Sequence, residues 1–391
     1  MDAPPDAYDP KKLYANASTD ASIAAARKVS AAATVLLKNE GALLPLKASS
    51  LKSIAVIGLA DKNAVIAGGG SGGVAPSWHG VATPLAGITA AAGGAKVTFA
   101  DGHDSGAAVA AAKAADVAIV FVGAMSGEGA DRKSLNLGEG LTKSKWRQDD
   151  LVAAVAAAQA KTIVVVATPG AILLPWSAAV PAILTNFMPG EQGGNAIADV
   201  LFGAVNPSAR LPLTFPNVDN ETKVGPSQWP YTNKSDPEVH YSEKLLIGYR
   251  FYDENQINFT TGFPFGHGLS YTQFDYSALR VTRTGVSLTV ANTGAVAGAE
   301  IVQLYLGFPA TAGEPPRQLK GFKKVSLAAG ARASVTIPLT DRELSTWDVA
   351  SHSWKVASGE FTVLVGASSR DIRLTGSLTV GGRAAAKRVG A

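Results

Sequence analysis

The side chains best suited to chemistry in this sequence are gathered in the seven residues SGEGADR, from Ser126 to Arg132. Glu128 stands between Gly127 and Gly129, so nothing beside it in the chain shields its carboxylate, and Asp131 and Arg132 follow closely. Groups of these types exchange protons and pair with charged or hydroxyl-rich ligands. The same residues also have a plainer reading, in which Asp131 and Arg132 form a solvated ion pair capping a surface loop. A second Gly-Glu-Gly supplies Glu139 as an alternative carboxylate. It lacks the Asp-Arg that follows Glu128 and ranks below it.

What must hold Glu128 in place is the strand before it. Val117–Val122 is apolar on both faces and rich in β-branched residues, as a central strand of a covered parallel sheet requires. The loop after such a strand leaves the sheet at its carboxyl edge, where open α/β sheets bind ligands. Around it, strands at Ser53–Leu59, Lys96–Ala100, Thr162–Thr168 and Ala182–Phe187 alternate with helices at Pro84–Ala92, Ser105–Ala115, Arg147–Ala160 and Gly193–Phe202. This is the βαβ rhythm of a parallel sheet. A helix from Asp20 to Leu37, opened by a Ser or Thr/Asp cap, precedes it. The α/β domain closes near Pro216.

From Asn217 to Tyr241 the chain is polar and Pro-containing and reads as a surface linker. After Tyr276 come short alternating runs such as VSLTVANTG, AEIVQLYLGF, ASVTIPLT, EFTVLVGA and IRLTGSLTV. Their spacing is that of an all-β sandwich, immunoglobulin-like or fibronectin-like. No exposed aromatic stripe is evident on it.

Composition narrows the function classes. The 391 residues, 47% hydrophobic and 17% charged, suffice for two cores. A net charge of +4 is spread along the chain, which disfavours a nucleic-acid partner. There is no cysteine, so disulfides, thiolate metal sites and cysteine nucleophiles are excluded. The five histidines show no ligand spacing, so neither a metal nor another cofactor is expected. No apolar run reaches the length of a membrane span, and the Pro-rich polar start looks like the middle of a longer chain rather than a signal peptide.

Taken together, ATVLLKNEGALLPL, IAVIG, GGGSGGV, SGEGADR, NFMPGEQGGNAIADVLFGAVNPSARLPLTFP, YSEKLLIGYRFYDENQINFTTGFPFGHGLSYTQF, QLKGFKKVSL and FTVLVGASSRDIRL resemble the carboxyl-terminal part of glycoside hydrolase family 3. That family comprises β-glucosidases, β-xylosidases and related exo-acting enzymes. The resemblance implies an α/β plus all-β fold: an α/β sandwich domain with a mostly parallel sheet over 20–216, a connecting segment over 217–274 and a fibronectin type III-like β-sandwich over 275–381. Residues 1–19 are then a linker and 382–391 a tail.

The family's barrel domain, which bears the nucleophilic aspartate, has no counterpart here. Retaining glycosidases need two carboxylates roughly 5 to 5.5 Å apart, and in the family these come from different domains. Glu128 matches the acid/base position, so the resemblance implies a hydrolase incomplete without a barrel from the same or another chain. In a partly dry cleft between domains its pKa would be raised, letting it protonate a glycosidic oxygen. Its long loop, Ala124–Lys145, would carry it onto substrate. The implied partners are a β-glucoside or oligosaccharide and the barrel, with no nucleic acid and no membrane.

Trp78, just past the Gly-rich loop, matches a tryptophan that some plant members stack on a glucosyl ring; a packed loop aromatic is the alternative. Ser71 in the GGGSGG run, with Asp131 and Arg132, completes the expected substrate contacts. The run lacks the glycine spacing and acidic residue of a dinucleotide site. His267 in PFGHGLS is expected to be structural. A non-catalytic carbohydrate-binding or scaffold protein is the alternative to an enzyme, and a β-sandwich docking module is a third possibility. Four Asn-x-Ser/Thr sequons, at Asn16, Asn220, Asn233 and Asn258, suit an extracellular or periplasmic address, with Asn220 or Asn233 expected to carry sugar before Asn258.

Overall fold

A computed structural model describes residues 18–73, 76–77, 80–137, 146–225, 227–228 and 238–381. Helix α1 (Asp20–Ala33) starts in a capping box, with Thr19 Oγ1 accepting from Ser22 N at 3.1 Å and Ser22 Oγ accepting from Thr19 N at 2.9 Å. There follow β1 (Val35–Asn39), β2 (Ser53–Gly58), α2 (Pro84–Ala91), β3 (Lys96–Ala100), α3 (Ser105–Lys113), β4 (Val117–Gly123), α4 (Gln148–Ala158), β5 (Thr162–Ala167), β6 (Ala182–Thr185) and α5 (Gly193–Leu201). They form one six-stranded sheet in the order β1-β6-β5-β4-β2-β3, parallel except for the antiparallel β1.

The continuous apolar runs are explained by cores on both faces. Ala55, Ile57, Val120, Val122, Val164 and Val166 pack with Ala108 and Ala112 of α3 and with Leu151, Val152 and Val155 of α4. Their neighbours Ile54, Val56, Ile119, Phe121, Ile163 and Val165 pack with Ile88 of α2 and with Ile197, Val200 and Leu201 of α5. Period-two alternation places successive residues in opposite layers.

The first helix is shorter than its sequence suggests, ending at Ala33, and VLLKN is strand β1. Thr34 takes an extended backbone (φ −69°, ψ 124°). Leu36 and Leu37 then enter opposite cores, which only a strand allows.

The second unit comprises β7 (Phe274–Thr282), β8 (Gly285–Asn292), β9 (Gly298–Gly307), β10 (Gln318–Leu327), β11 (Arg332–Pro338), β12 (Ser345–Asp348), β13 (Ser353–Val356), β14 (Gly359–Gly366) and β15 (Ile372–Val380). Two antiparallel sheets, β10-β9-β14-β15 and β11-β8-β7, enclose a core that includes Val286, Leu288, Leu304, Phe361 and Val363. This is the expected β-sandwich. The β12–β13 hairpin adds what the sequence hid. Trp347 lies directly opposite Trp354 with ring centroids 5.5 Å apart, both about half exposed (48% and 47%), and the Arg342 guanidinium sits 3.2 Å over the Trp354 ring.

Beyond the stretch read as surface linker, the connecting segment forms the joint between the units. Helix α6 (Tyr249–Glu254) sends the Tyr249 hydroxyl to accept from Leu319 N at 2.8 Å. It also buries Asp253 between Arg317 (3.2 Å) and Arg370 (2.9 Å). Farther on, Leu269 N donates to Leu36 O at 2.8 Å and covers the outer edge of β1. His267 Nε2 lies 2.8 Å from Leu37 O with its ring stacked on Phe263, a structural role as expected. No helix among the described residues is long and apolar enough to cross a membrane.

Candidate active site

Strand β4 is buried along its whole length, and its last residue is clamped by Gln148 at the start of α4. The Gln148 amide donates to Gly123 O (2.8 Å) and accepts from Gly123 N (2.9 Å), so both ends of the 124–147 loop are fixed at one point. A fully buried glutamine with both amide groups engaged makes a rigid base for an exposed loop. Asp149 adds a second anchor. It accepts from Trp176 Nε1 at 2.8 Å and from the Leu137 backbone, while burial pushes its pKa up.

The Gly-rich segment is joined to this loop. Gly69 N donates to Ser126 O at 3.0 Å, and Gly69 pairs with Gly127 in an isolated parallel bridge. The glycines are required by close approach: a Cβ on Gly127 would lie 2.9 Å from Gly69 Cα, and one on Gly70, at φ +63°, would lie 2.6 Å from Glu128 Cβ. Ala130 N donates to Gly127 O at 3.0 Å, turning the chain through Gly129 at φ +71°. The result is two interlocked loops with Glu128 exposed at their junction.

Ser71, on the 3-10 turn Gly70–Gly72, directs both its donors at Glu128. Its amide reaches Oε2 at 3.2 Å and its hydroxyl donates to the same oxygen. These two bonds favour the anion and hold Glu128 below the usual glutamate range. The raised pKa anticipated from the sequence is therefore not present in this chain. That expectation rested on a dry interdomain cleft, and here Glu128 faces solvent, so hydrogen bonding outweighs desolvation.

Asp131 is exposed, and no ion pair joins it to Arg132 among the described residues. The plain reading of a solvated Asp-Arg pair does not describe Arg132. Its half-buried guanidinium donates from Nη2 to Ala171 O at 2.9 Å, its buried Nη1 has no hydrogen-bond partner, and burial lowers its pKa. Beside it a cleft of about 740 Å³ runs between Ser126, Asp131, Arg132 and Leu135 on one wall and Asp219 and Asn220 on the other. Trp78 and Glu139 lie outside the described residues, as do Asn16 and Asn233.

Glu191 escaped the sequence reading. Its carboxylate accepts from Ser77 N at 2.7 Å and its carbonyl from Ala82 N at 2.8 Å, fastening the chain on both sides of the Trp78 position. The available signal was a lone carboxylate set among Pro189, Gly190, Gly193 and Gly194, where only backbone contacts need it. Asn220 and Asn258 are both exposed. The Asn220 amide, however, closes a turn by donating to Val224 O (3.0 Å) and accepting from Val224 N (2.9 Å). The Asn258 side chain makes no hydrogen bond among the described residues.

Residues 34–271 match the model of the glycosyl hydrolase family 3 C-terminal domain, and residues 300–369 that of the fibronectin type III-like domain. A probable β-glucosidase L from Aspergillus terreus is 39% identical over 91% of this chain and 53% of its own length. A thermostable β-glucosidase B from Acetivibrio thermocellus is 38% identical over 96% and 50%. Among solved structures, a β-glucosidase from Streptomyces venezuelae in complex with D-glucose superposes with a TM-score of 0.84 at 31% identity, over 92% of this chain and 60% of that one. A family 3 β-glucosidase from Bifidobacterium adolescentis gives 0.82 at 34% identity, over 94% and 54%. The chain thus spans about half the length of the curated relatives it matches and, with more than half of its own residues inside the family's model, it belongs to glycosyl hydrolase family 3.

Proposed function

We propose that this chain is the acid/base-bearing part of a retaining, exo-acting β-glycosidase of β-glucosidase or β-xylosidase type, which removes terminal sugars from oligo- or polysaccharides together with a nucleophile-bearing barrel. The observation that carries the reading is the placement of Glu128, exposed at the junction of two interlocked glycine loops beyond the buried strand β4. In the first step the barrel carboxylate attacks the anomeric carbon while Glu128 protonates the departing oxygen. In the second, Glu128 takes a proton from the water that releases the sugar. Asp131 and Arg132 line the adjoining cleft for sugar hydroxyls. Ser71 Oγ, whose proton is committed to Glu128, retains lone pairs for the same purpose, and Trp78 offers a stacking face. The domain division we propose is 20–216, 217–274 and 275–381, with an extracellular or periplasmic address. The order expected from the sequence is reversed by the Asn220 amide, which is already engaged with Val224: in a eukaryotic secretory host, glycopeptide mass spectrometry should find Asn258 occupied before Asn220, and the opposite order would remove this argument.

One observation favours the alternative of a non-catalytic carbohydrate-binding protein. The Ser71 hydroxyl and amide converge on Glu128, favour its anion and lower its pKa, whereas a general acid must be protonated before it acts. Barrel docking has to supply the missing desolvation. The test is hydrolysis of a nitrophenyl β-glucoside by the chain alone and by the chain complemented with a family barrel. The expected outcome is turnover only in the complemented sample. Turnover by the pure chain at rates typical of the relatives, or none in a folded, complemented enzyme, would overturn the proposal.

A further inference from the structure

The two oxygens of Glu128 are not equivalent. Both donors of Ser71 converge on Oε2, the amide at 3.2 Å and the hydroxyl alongside it. A backbone N–H can donate but never accept. Oε2 has two in-plane lone pairs, one taken by that amide and the other by the Ser71 hydroxyl, so a proton is taken up at Oε1, where neither bond is lost. This asymmetry is built into the loops rather than into a flexible side-chain choice, because the Gly69–Gly127 bridge and the absence of a Cβ on Gly70 set the register that brings Ser71 to Glu128.

We propose that Ser71 is the positioning residue for Glu128, fixing its carboxyl plane and reserving Oε1 as the oxygen that gives and takes the catalytic proton. The proposal rests on the reading of Glu128 as acid/base and deepens it. A fixed proton-bearing oxygen matters because proton transfer to a leaving group requires the donor within hydrogen-bond reach in a defined orientation. Both Ser71 bonds stabilise the anion, so the same contact supports the second half of the reaction, in which Glu128 acts as base. The charged groups near Glu128 along its own loop are Asp131, Arg132 and Lys133. The Gly-rich segment packed against it, residues 67–73, carries none, and among the described residues no ion pair reaches Glu128.

The contact can be read without activity. In the intact chain labelled with ¹³C at glutamate carboxyls, Glu128 is assigned by the signal lost in Glu128→Gln and titrated in the wild type, Ser71→Ala and Ser71→Thr. The expected result is a wild-type midpoint below the ordinary glutamate value. Ser71→Ala should raise it by roughly half a unit to one unit, the scale of one charge-assisted hydrogen bond at an exposed site. Ser71→Thr, which keeps the hydroxyl, should restore it. Equal midpoints in the wild type and a folded Ser71→Ala, or a Ser71→Thr that behaves like Ser71→Ala, would overturn the proposal. Should Ser71→Ala not fold, the Ser71→Thr midpoint and the Glu128 carboxyl shift in the wild type decide the question. Failure of the acid/base reading shows differently: Ser71 would shift the titration while Glu128→Ala left the barrel-complemented enzyme fully active, and the contact would then have no catalytic meaning.

Discussion

Arg210 and Glu300 meet at 2.8 Å across the joint between the α/β unit and the β-sandwich, with side chains only 7% and 3% exposed. Breaking a buried pair by removing one member leaves an uncompensated charge and costs about 3–5 kcal/mol, whereas replacing both with apolar residues is often neutral. Arg210→Met should therefore lower the urea midpoint strongly, and the double variant Arg210→Met/Glu300→Leu should recover most of the loss. Equal midpoints for the single variant and the wild type would show that the joint does not depend on this pair.

Gly70→Ala should destabilise the chain by about 1–2 kcal/mol, since a left-handed backbone penalises a Cβ and the new methyl collides with Glu128. It should also separate Ser71 from Glu128 and raise the Glu128 titration midpoint. Gly72→Ala is the control, because a Cβ there meets nothing within 4 Å. The comparison needs thermal unfolding and the carboxyl titration; a Gly70→Ala protein indistinguishable from Gly72→Ala in both would contradict the interlocked-loop geometry.

His267 gives the joint a pH dependence of definite sign. Burial pushes its pKa below the ordinary 6.5, Arg210 adds to that, and the Leu37 carbonyl and Asp371 pull the other way. The unfolded chain takes up the proton first as pH falls through about 6.5, while the folded chain resists. His267 thus costs nothing well above that pH, and stability declines below it until the lowered folded value is passed. The urea midpoint of the wild type should drop more between about pH 7.5 and 5.5 than that of His267→Gln. Parallel curves would show that His267 is not held neutral.

With a barrel restored, Glu128→Ala should lower kcat/KM about 10²- to 10⁴-fold on glycosides with poor leaving groups, and far less on activated aryl glycosides that leave without a proton. Azide should partly rescue it by attacking the glycosyl-enzyme. If Glu139→Ala showed this pattern and Glu128→Ala did not, the acid/base would be Glu139.

Much of the α/β unit was legible because its central strands are buried on both faces, which leaves β-branched runs that no surface helix shares. Lys96–Ala100 is the strand β3 that the sequence suggests, and the neighbouring strands differ from their sequence-based bounds by one or two residues. The Ala-rich α1 gave no stop signal, and β1 became visible only through its antiparallel pairing with β6. Helix α6 has no strong propensity of its own. Tyr249 and Asp253 hold it through partners in the β-sandwich, which lie beyond any local window. At the candidate site, the glycines beside Glu128 revealed its exposure but not its electrostatics, since the deciding donor, Ser71, is 57 residues away in sequence.

The bridge between Leu36 and Leu269 also has a mechanical meaning. The chain enters the six-stranded sheet at β1 and passes back along that strand's outer edge before starting the β-sandwich. Tension applied between the residues ahead of Val35 and those beyond Leu269 is therefore borne by adjoining backbone, not transmitted through the five other strands. The loops that carry Glu128 lie in the chain between these two residues, so a pull applied outside them meets this bridge before it can draw on those loops.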